Sequence, residues 1–130
     1  RPVQLLGASA WYTGDLLLRA GRYLEGALVA TPFAAEDPRP GVRDWVAAFQ
    51  RAAGRSPTAV EAFAHDAFGL LAACVREEPH CDRRALIERL RRPLEEPGVT
   101  TLRSFDAAGE PLEPPHLVAV RRGRFELVVP

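Results

Sequence analysis

The apolar positions of this chain recur with two different spacings, and the switches between them divide it into strands and helices. Residues 3–6 form a short apolar run closed by Gly7, which predicts a buried strand followed by a loop. Tyr12, Leu16, Ala20, Tyr23 and Leu24 then recur three to four residues apart, so a helix is predicted over 13–23. The continuous run 27–30 predicts a second buried strand of the kind found in parallel sheets, and Thr31-Pro32-Phe33 ends it. Residues 34–41, rich in Pro, Asp and Gly, read as a loop. Val42, Trp45, Val46, Phe49 and Ala53 mark a helix that Gly54 stops. Ser56 and Pro57 have the chemistry of an N-cap and a first helical residue. The helix they open carries the strongest pattern in the chain. Val60, Phe63, Ala64, Ala67, Phe68, Leu71, Cys74 and Val75 share one apolar face, wide enough to require a sheet or several helices against it.

Asp82 is placed to cap a shorter helix with Leu86, Ile87 and Leu90 on one face. Arg89, Arg91 and Arg92 near its end offset the helix dipole. From Gly98 the helical spacing gives way. Residues 100–105 alternate, 106–109 read as a turn, and the runs 117–120 and 125–129 flank Arg121-Arg122-Gly123-Arg124, a hairpin signal. The predicted order is β-α-β, three helices and a β tail, an α/β fold. Four or five short strands are too few to cover these helices in a three-layer sheet, so apolar faces would stay open. Either a second copy of the chain completes the fold, as a homodimer of the fragment, or central strands lie upstream. The second is the expectation here. Arg1 as first residue and the absence of any Met point to missing upstream sequence as well.

Composition narrows the function classes. With 130 residues and 47% hydrophobic content the chain is one domain, or part of one, with a real core. A net charge of +0 lacks the basic surplus of a nucleic-acid binder. No apolar run approaches the length of a bilayer span. Cys74 and Cys81 are close enough in sequence for a disulfide, and equally readable as two unpaired thiols. His80 beside Cys81 does not make a zinc site, because no second ligand cluster exists. Ser9 and Ser56 sit in no nucleophile motif. His65 reads as a half-buried structural residue of the long helix and His116 as an edge residue. Glu77-Glu78 and Glu95-Glu96 lie in solvated, Pro-containing ends. No phosphate-binding glycine loop or HExxH motif occurs. The expectation is a binding protein with no catalytic residues, cofactor or metal. The loop 7–12 is the best candidate site. It follows a strand and precedes a helix, where ligands bind in open α/β folds. Trp11 and Tyr12 either cover a ligand there or plug the helix onto the core.

Gly7-Ala8-Ser9-Ala10-Trp11, Tyr23-Leu24-Glu25-Gly26-Ala27 and Thr31-Pro32-Phe33 resemble the C-terminal third of type I periplasmic solute-binding proteins, the leucine/isoleucine/valine-binding group of ABC importers. Phe49-Gln50-Arg51, Gly54-Arg55-Ser56-Pro57, Gly98-Val99-Thr100, Ser104-Phe105-Asp106, Gly109-Glu110 and Gly123-Arg124-Phe125 continue the resemblance in order. His65-Asp66-Ala67 stands where that family usually has Tyr-Asp-Ala. The resemblance implies two α/β lobes that close on a ligand, in a periplasmic or otherwise extracytoplasmic protein serving an ABC permease. Residues 1–32 and 101–130 would belong to the second lobe and 33–100 to helices of the first. Crossovers would fall near 29–32 and 100–103.

The resemblance also implies a cleft lined by Ser9, Trp11 and Tyr12, with Glu61 near the mouth. In amino-acid binders of the family a carboxylate takes the ligand's ammonium where this chain has Ser9. A hydroxyl gives a hydrogen bond but no charge, and a charge-assisted bond is about twice as strong. Glu61 is one substitute, although surface solvation also accounts for it. The stretch from Leu5 to Trp11 is equally similar to periplasmic activators of penicillin-binding proteins. That group would contact a peptidoglycan synthase and need no small ligand.

Overall fold

A computed structural model describes residues 3–77, 80, 82–92 and 98–128. Its strands are β1 (Leu6–Gly7), β2 (Leu28–Thr31), β3 (His116–Arg121) and β4 (Arg124–Leu127), and its α-helices are α1 (Gly14–Ala20), α2 (Pro40–Ala53), α3 (Ala59–Glu77) and α4 (Arg83–Leu90). The strands form one sheet in the order β1-β2-β3-β4. β1 and β2 are parallel and joined through α1, whereas β3 runs antiparallel to both β2 and β4. The element order is the one the sequence predicts.

Local chemistry explains most boundaries. Thr13 caps α1, its hydroxyl accepting from the Leu16 amide at 3.2 Å. The helix stops at Ala20 instead of 23 because Gly21 turns to a φ of 49°, and a 3-10 turn over Gly21–Leu24 continues the chain. Pro40 opens α2 and Gly54, left-handed at φ 67°, closes it. The β3–β4 turn is Arg122-Gly123 with φ of 53° and 70°, the pair of positive angles of a type I′ hairpin. The strained residue is Arg122, and its amide is held by both Glu25 carboxylate oxygens at 3.0 Å.

The main core joins Val29 of β2 to its ladder partner Val118, with Tyr12, Phe33, Ala34, Val42, Val46, Ala59, Ala62 and Val99 around them. A smaller cluster of Leu24, Ala27 and Val120 is roofed by Leu16 and Leu17 of α1.

Four expectations need correction. The run 3–6 is not a buried strand: β1 has two residues, and Val3 and Leu6 are exposed because no described element covers them. Ser56 is not the cap of α3. Its hydroxyl accepts from Gln50, and the cap is Thr58, paired with Glu61 in a reciprocal capping box. The alternating residues 100–105 form no strand, and only an isolated bridge joins Phe105 to Pro111. Finally, the predicted apolar face of α3 is largely open: of its residues only Cys74 is buried, Val60 and Phe68 are 73% and 75% exposed, and Leu71 and Val75 are open too, while the helix packs through Ala59 and Ala62 on another side.

Glu61 accepts from the Thr58 amide at 2.8 Å, from the Thr58 hydroxyl and from Arg55, and these bonds draw its pKa down from 4.5 to about 2. A depressed carboxylate pKa contributes stability above the unfolded value, lost as pH falls through the folded one. Glu61→Gln in the intact protein is expected to cost roughly 1 kcal/mol at neutral pH, a typical capping value. The gap to wild type should shrink as pH drops from about 4.5 toward about 2, measured by denaturant unfolding at each pH.

Candidate functional site

The chain leaves β1 into a single 3-10 turn, Ser9–Trp11, before Thr13 starts α1. This turn places Ser9, Trp11 and Tyr12 together at the end of the β1–β2 pair, but their side chains do different things. The half-buried Ser9 hydroxyl makes no hydrogen bond with the described residues, which leaves it available. Trp11 lies across Gly7 and packs against both core clusters. Tyr12 is 5% exposed, its ring 4.6 Å from Phe125 and 6.1 Å from Phe33. Its hydroxyl donates to Glu36 Oε2 and accepts from the Ala35 amide, both at 2.7 Å. Burial first, and the Glu36 charge second, push the Tyr12 pKa far above its ordinary range. Burial raises that of Glu36 as well. Tyr12 therefore ties the loop to the 34–37 segment from inside the core, and the carboxylate in contact with the candidate loop is Glu36.

Glu61 belongs to a separate cluster with Arg55 and Thr58 at the start of α3. Cys74 is buried where α3 meets α4, while Cys81 lies outside the described residues, and the disulfide question with it. His65 is exposed instead of half-buried, its ring 5.2 Å from that of Trp45. Among the described residues no three potential metal ligands gather, and no helix is long and apolar enough to cross a membrane.

A second group surrounds residues 98–104, and the sequence pattern does not single it out. Asp66 of α3 accepts from the amides of Val99 and Thr100 at 2.8 Å and from the Thr100 hydroxyl at 2.6 Å. A Cβ at residue 98 would collide with this carboxylate, so Gly98 is what lets it approach. Arg39 supplies the complement, its guanidinium reaching the carbonyls of Gly98, Val99 and Thr100 at 3.3–3.4 Å. The buried Asp37 holds Arg39 through Nε at 2.8 Å and through its amide at 2.9 Å. His116 Nε2 of β3 lies 3.1 Å from the same Asp37 carboxylate, at ion-pair distance but without a hydrogen bond. The Thr101 amide donates to the Pro32 carbonyl at 2.7 Å, which ties the 98–101 stretch to the end of β2. Downstream, Glu113 accepts from the amides of Arg103 and Ser104 and from the Ser104 hydroxyl. Asp66 lies off the apolar face of α3 and stands in the His65-Asp66-Ala67 stretch that carries the resemblance, and that stretch is the sequence signal that could have exposed the first of these clamps.

A family model described as periplasmic binding protein matches residues 1–122. The chain belongs to that family. Among solved structures it resembles the leucine-binding protein LivK of Thermotoga maritima, with 19% identity and a TM-score of 0.81 over 99% of this chain and 37% of that one. An ABC transporter substrate-binding protein of Desulfitobacterium hafniense in complex with leucine is 31% identical, with a TM-score of 0.76 over 98% of this chain and 36% of that one. The transporter substrate-binding protein LivJ of Streptococcus pneumoniae, in complex with isoleucine, is 16% identical, with a TM-score of 0.77 over 99% and 38%. No curated protein matches the chain significantly. The chain thus spans little more than a third of these structures. It forms part of a type I periplasmic-binding fold, in a family of solute-binding proteins and not of enzymes.

Two measurements check the local geometry. Gly7→Ala must displace the Trp11 ring, so the intact variant is expected to lose about 1–3 kcal/mol of stability and to shift its tryptophan emission. Desolvation lowers the His116 pKa below 6.5, with Asp37 pulling it up and Arg39 down. Asp37→Asn should lower it further, read from imidazole resonances across a pH titration. The depressed folded value means that the unfolded chain binds more protons between the two values. Stability therefore falls as pH drops through that window.

Proposed function

We propose that the chain is the C-terminal part of an extracytoplasmic receptor that captures an amino acid or a related small polar molecule for an ABC importer, by closure of two lobes. The observation that carries this reading is the likeness, over nearly the whole chain, to a leucine-bound substrate-binding protein of 31% identity. The division into lobes accords with the sheet: all four strands come from 1–32 and 101–130, whereas α2, α3 and α4 come from 33–100. Two chain crossings join the parts, one after β2 and one through 100–103.

In this reading Ser9 faces the ligand with a free hydroxyl, and Trp11 and Tyr12 hold the turn that presents it. Glu36, anchored by Tyr12, supplies the negative charge that Ser9 lacks, and Glu61 stays committed to its helix cap. Binding energy shifts an open–closed equilibrium, and the closed form is what a permease recognises.

A thermal-shift screen of the intact protein against amino acids, small amides and aromatic acids tests this. A ligand at 100 times its Kd adds about 2.7 kcal/mol, roughly 2–4 °C of Tm per kcal/mol for a large protein. A hit among the aliphatic amino acids that Glu36→Gln weakens at least tenfold supports the assignment. A flat screen on a well-folded sample would move the reading to a protein-interaction module, with pull-down of a peptidoglycan synthase as the next measurement.

A further inference from the structure

The hairpin that ends the sheet carries more charge than closing it needs. Arg122-Gly123 joins β3 to β4, and Arg121 and Arg124 face each other as the ladder pair that flanks this turn. The next pair inward, Val120 and Phe125, packs into the smaller core cluster. By strand alternation Arg121 and Arg124 therefore share the opposite face, and both are exposed. Like charges set directly opposite each other in a ladder are unfavourable. Arg122 is the one non-glycine residue at positive φ among those described, at 53°, in a turn type that favours Asn or Gly at that position. Two locally unfavourable choices thus fall on adjacent positions, and neither improves the sheet. A residue held in a sparsely populated conformation points to a role beyond the fold.

The carboxylates nearby do not neutralise this tip. Both oxygens of Glu25 accept from the Arg122 amide at 3.0 Å, which fixes the turn and leaves its guanidinium to point outward unpaired. Glu126 reaches Arg121 only at 3.7 Å, and the guanidiniums of Arg122 and Arg124 have no ion-pair partner among the described residues. Glu25 also brings a fourth arginine alongside: its amide donates to the Arg22 carbonyl at 3.3 Å. The Arg22 guanidinium lies over the Tyr23 ring, 5.3 Å from its centroid, and Tyr23 is 75% exposed. Arg22, Arg121, Arg122 and Arg124 thus outnumber Glu25 and Glu126 here, in a chain whose net charge is +0.

We infer that this hairpin tip, with the Arg22–Tyr23 stack beside it, is a docking surface for an acidic segment of a protein partner. The guanidiniums of Arg122 and Arg124 are held out on a turn whose backbone is already fixed, so ordering them costs little on binding. Their planar forks match carboxylates through paired hydrogen bonds. Arginine and tyrosine are also the residues enriched where proteins meet, which favours a protein segment over a lipid surface.

The test is fluorescence anisotropy of the intact protein with a fluorescein-labelled oligoglutamate peptide as probe, beside flotation with phosphatidylglycerol vesicles. Wild type should bind the peptide at low ionic strength and lose affinity as salt rises toward about 0.15 M, where charges are screened beyond about 8 Å. Arg122→Asn should weaken binding about tenfold. Because Asn suits a type I′ turn, the same variant should melt at or above the wild-type Tm, a pairing that a merely structural role for Arg122 would not give. Arg124→Gln, which leaves the turn untouched, should weaken binding similarly. Arg51→Gln removes the same charge from an exposed position on α2 and should leave the affinity unchanged. Failure of wild type to bind the peptide would overturn the inference, and so would equal losses in Arg122→Asn and Arg51→Gln, which would mark attraction by net charge alone. Binding to the vesicles and not to the peptide would overturn it in favour of a membrane surface. No arm of the experiment uses a small ligand, so its outcome is separate from that of the ligand screen.

Discussion

Residues 98–104 have to cross the molecule without a neighbouring strand to bond with, and their amides and carbonyls lie beside a packed core. Buried backbone groups left without partners cost about 1–3 kcal/mol each. The chain meets this with charged side chains: Asp66 takes the donors at Val99 and Thr100, Arg39 takes the acceptors, and Glu113 takes the next donors at Arg103 and Ser104. The rest of the architecture depends on this substitution. It brings Val99 into the core beside Phe33 and Val42, it fixes where the chain returns to the sheet as β3, and it sets α3 against that return through Asp66.

The same constraint explains what the sequence could and could not reveal. The stop at Gly54, the cap at Asp82 and the hairpin at Arg122-Gly123 were legible because they depend on residues close in sequence, whereas the cap at Thr13 was not singled out and Pro40, which opens α2, was read as part of a loop. The alternation over 100–105 is genuine, but it reflects burial of Thr100 and Ser104 among side-chain clamps drawn from 34 and nine residues away, and not a strand. Period-two patterning cannot separate those cases. Ser56 was a plausible cap, and Thr58 displaced it because Glu61 stands three residues further on and completes a box that Ser56 cannot form.

The candidate loop shows the same division. Its position, after a strand and before a helix, could be read directly from the chain. Which of its side chains remain free could not, because that is decided by partners 23 and 24 residues away, Ala35 and Glu36. Tyr12 has the composition of a ligand platform and the environment of a core residue. Its hydroxyl is saturated by one donor and one acceptor, so what it can offer a ligand is the placement of Glu36. Desolvation raises the pKa of that carboxylate, opposed by its hydrogen bond from Tyr12.

The open face of α3 bears on how far any of this can stand alone. Val60, Phe68, Leu71 and Val75 are all exposed, and burying each would be worth about 1.5–3 kcal/mol. Their sum is comparable to the whole stability margin of an ordinary domain, about 5–15 kcal/mol. A helix with that much unspent apolar surface is held here mainly at its first turn, by Ala59, Ala62 and the Thr58–Glu61 box, and by Asp66 near its middle.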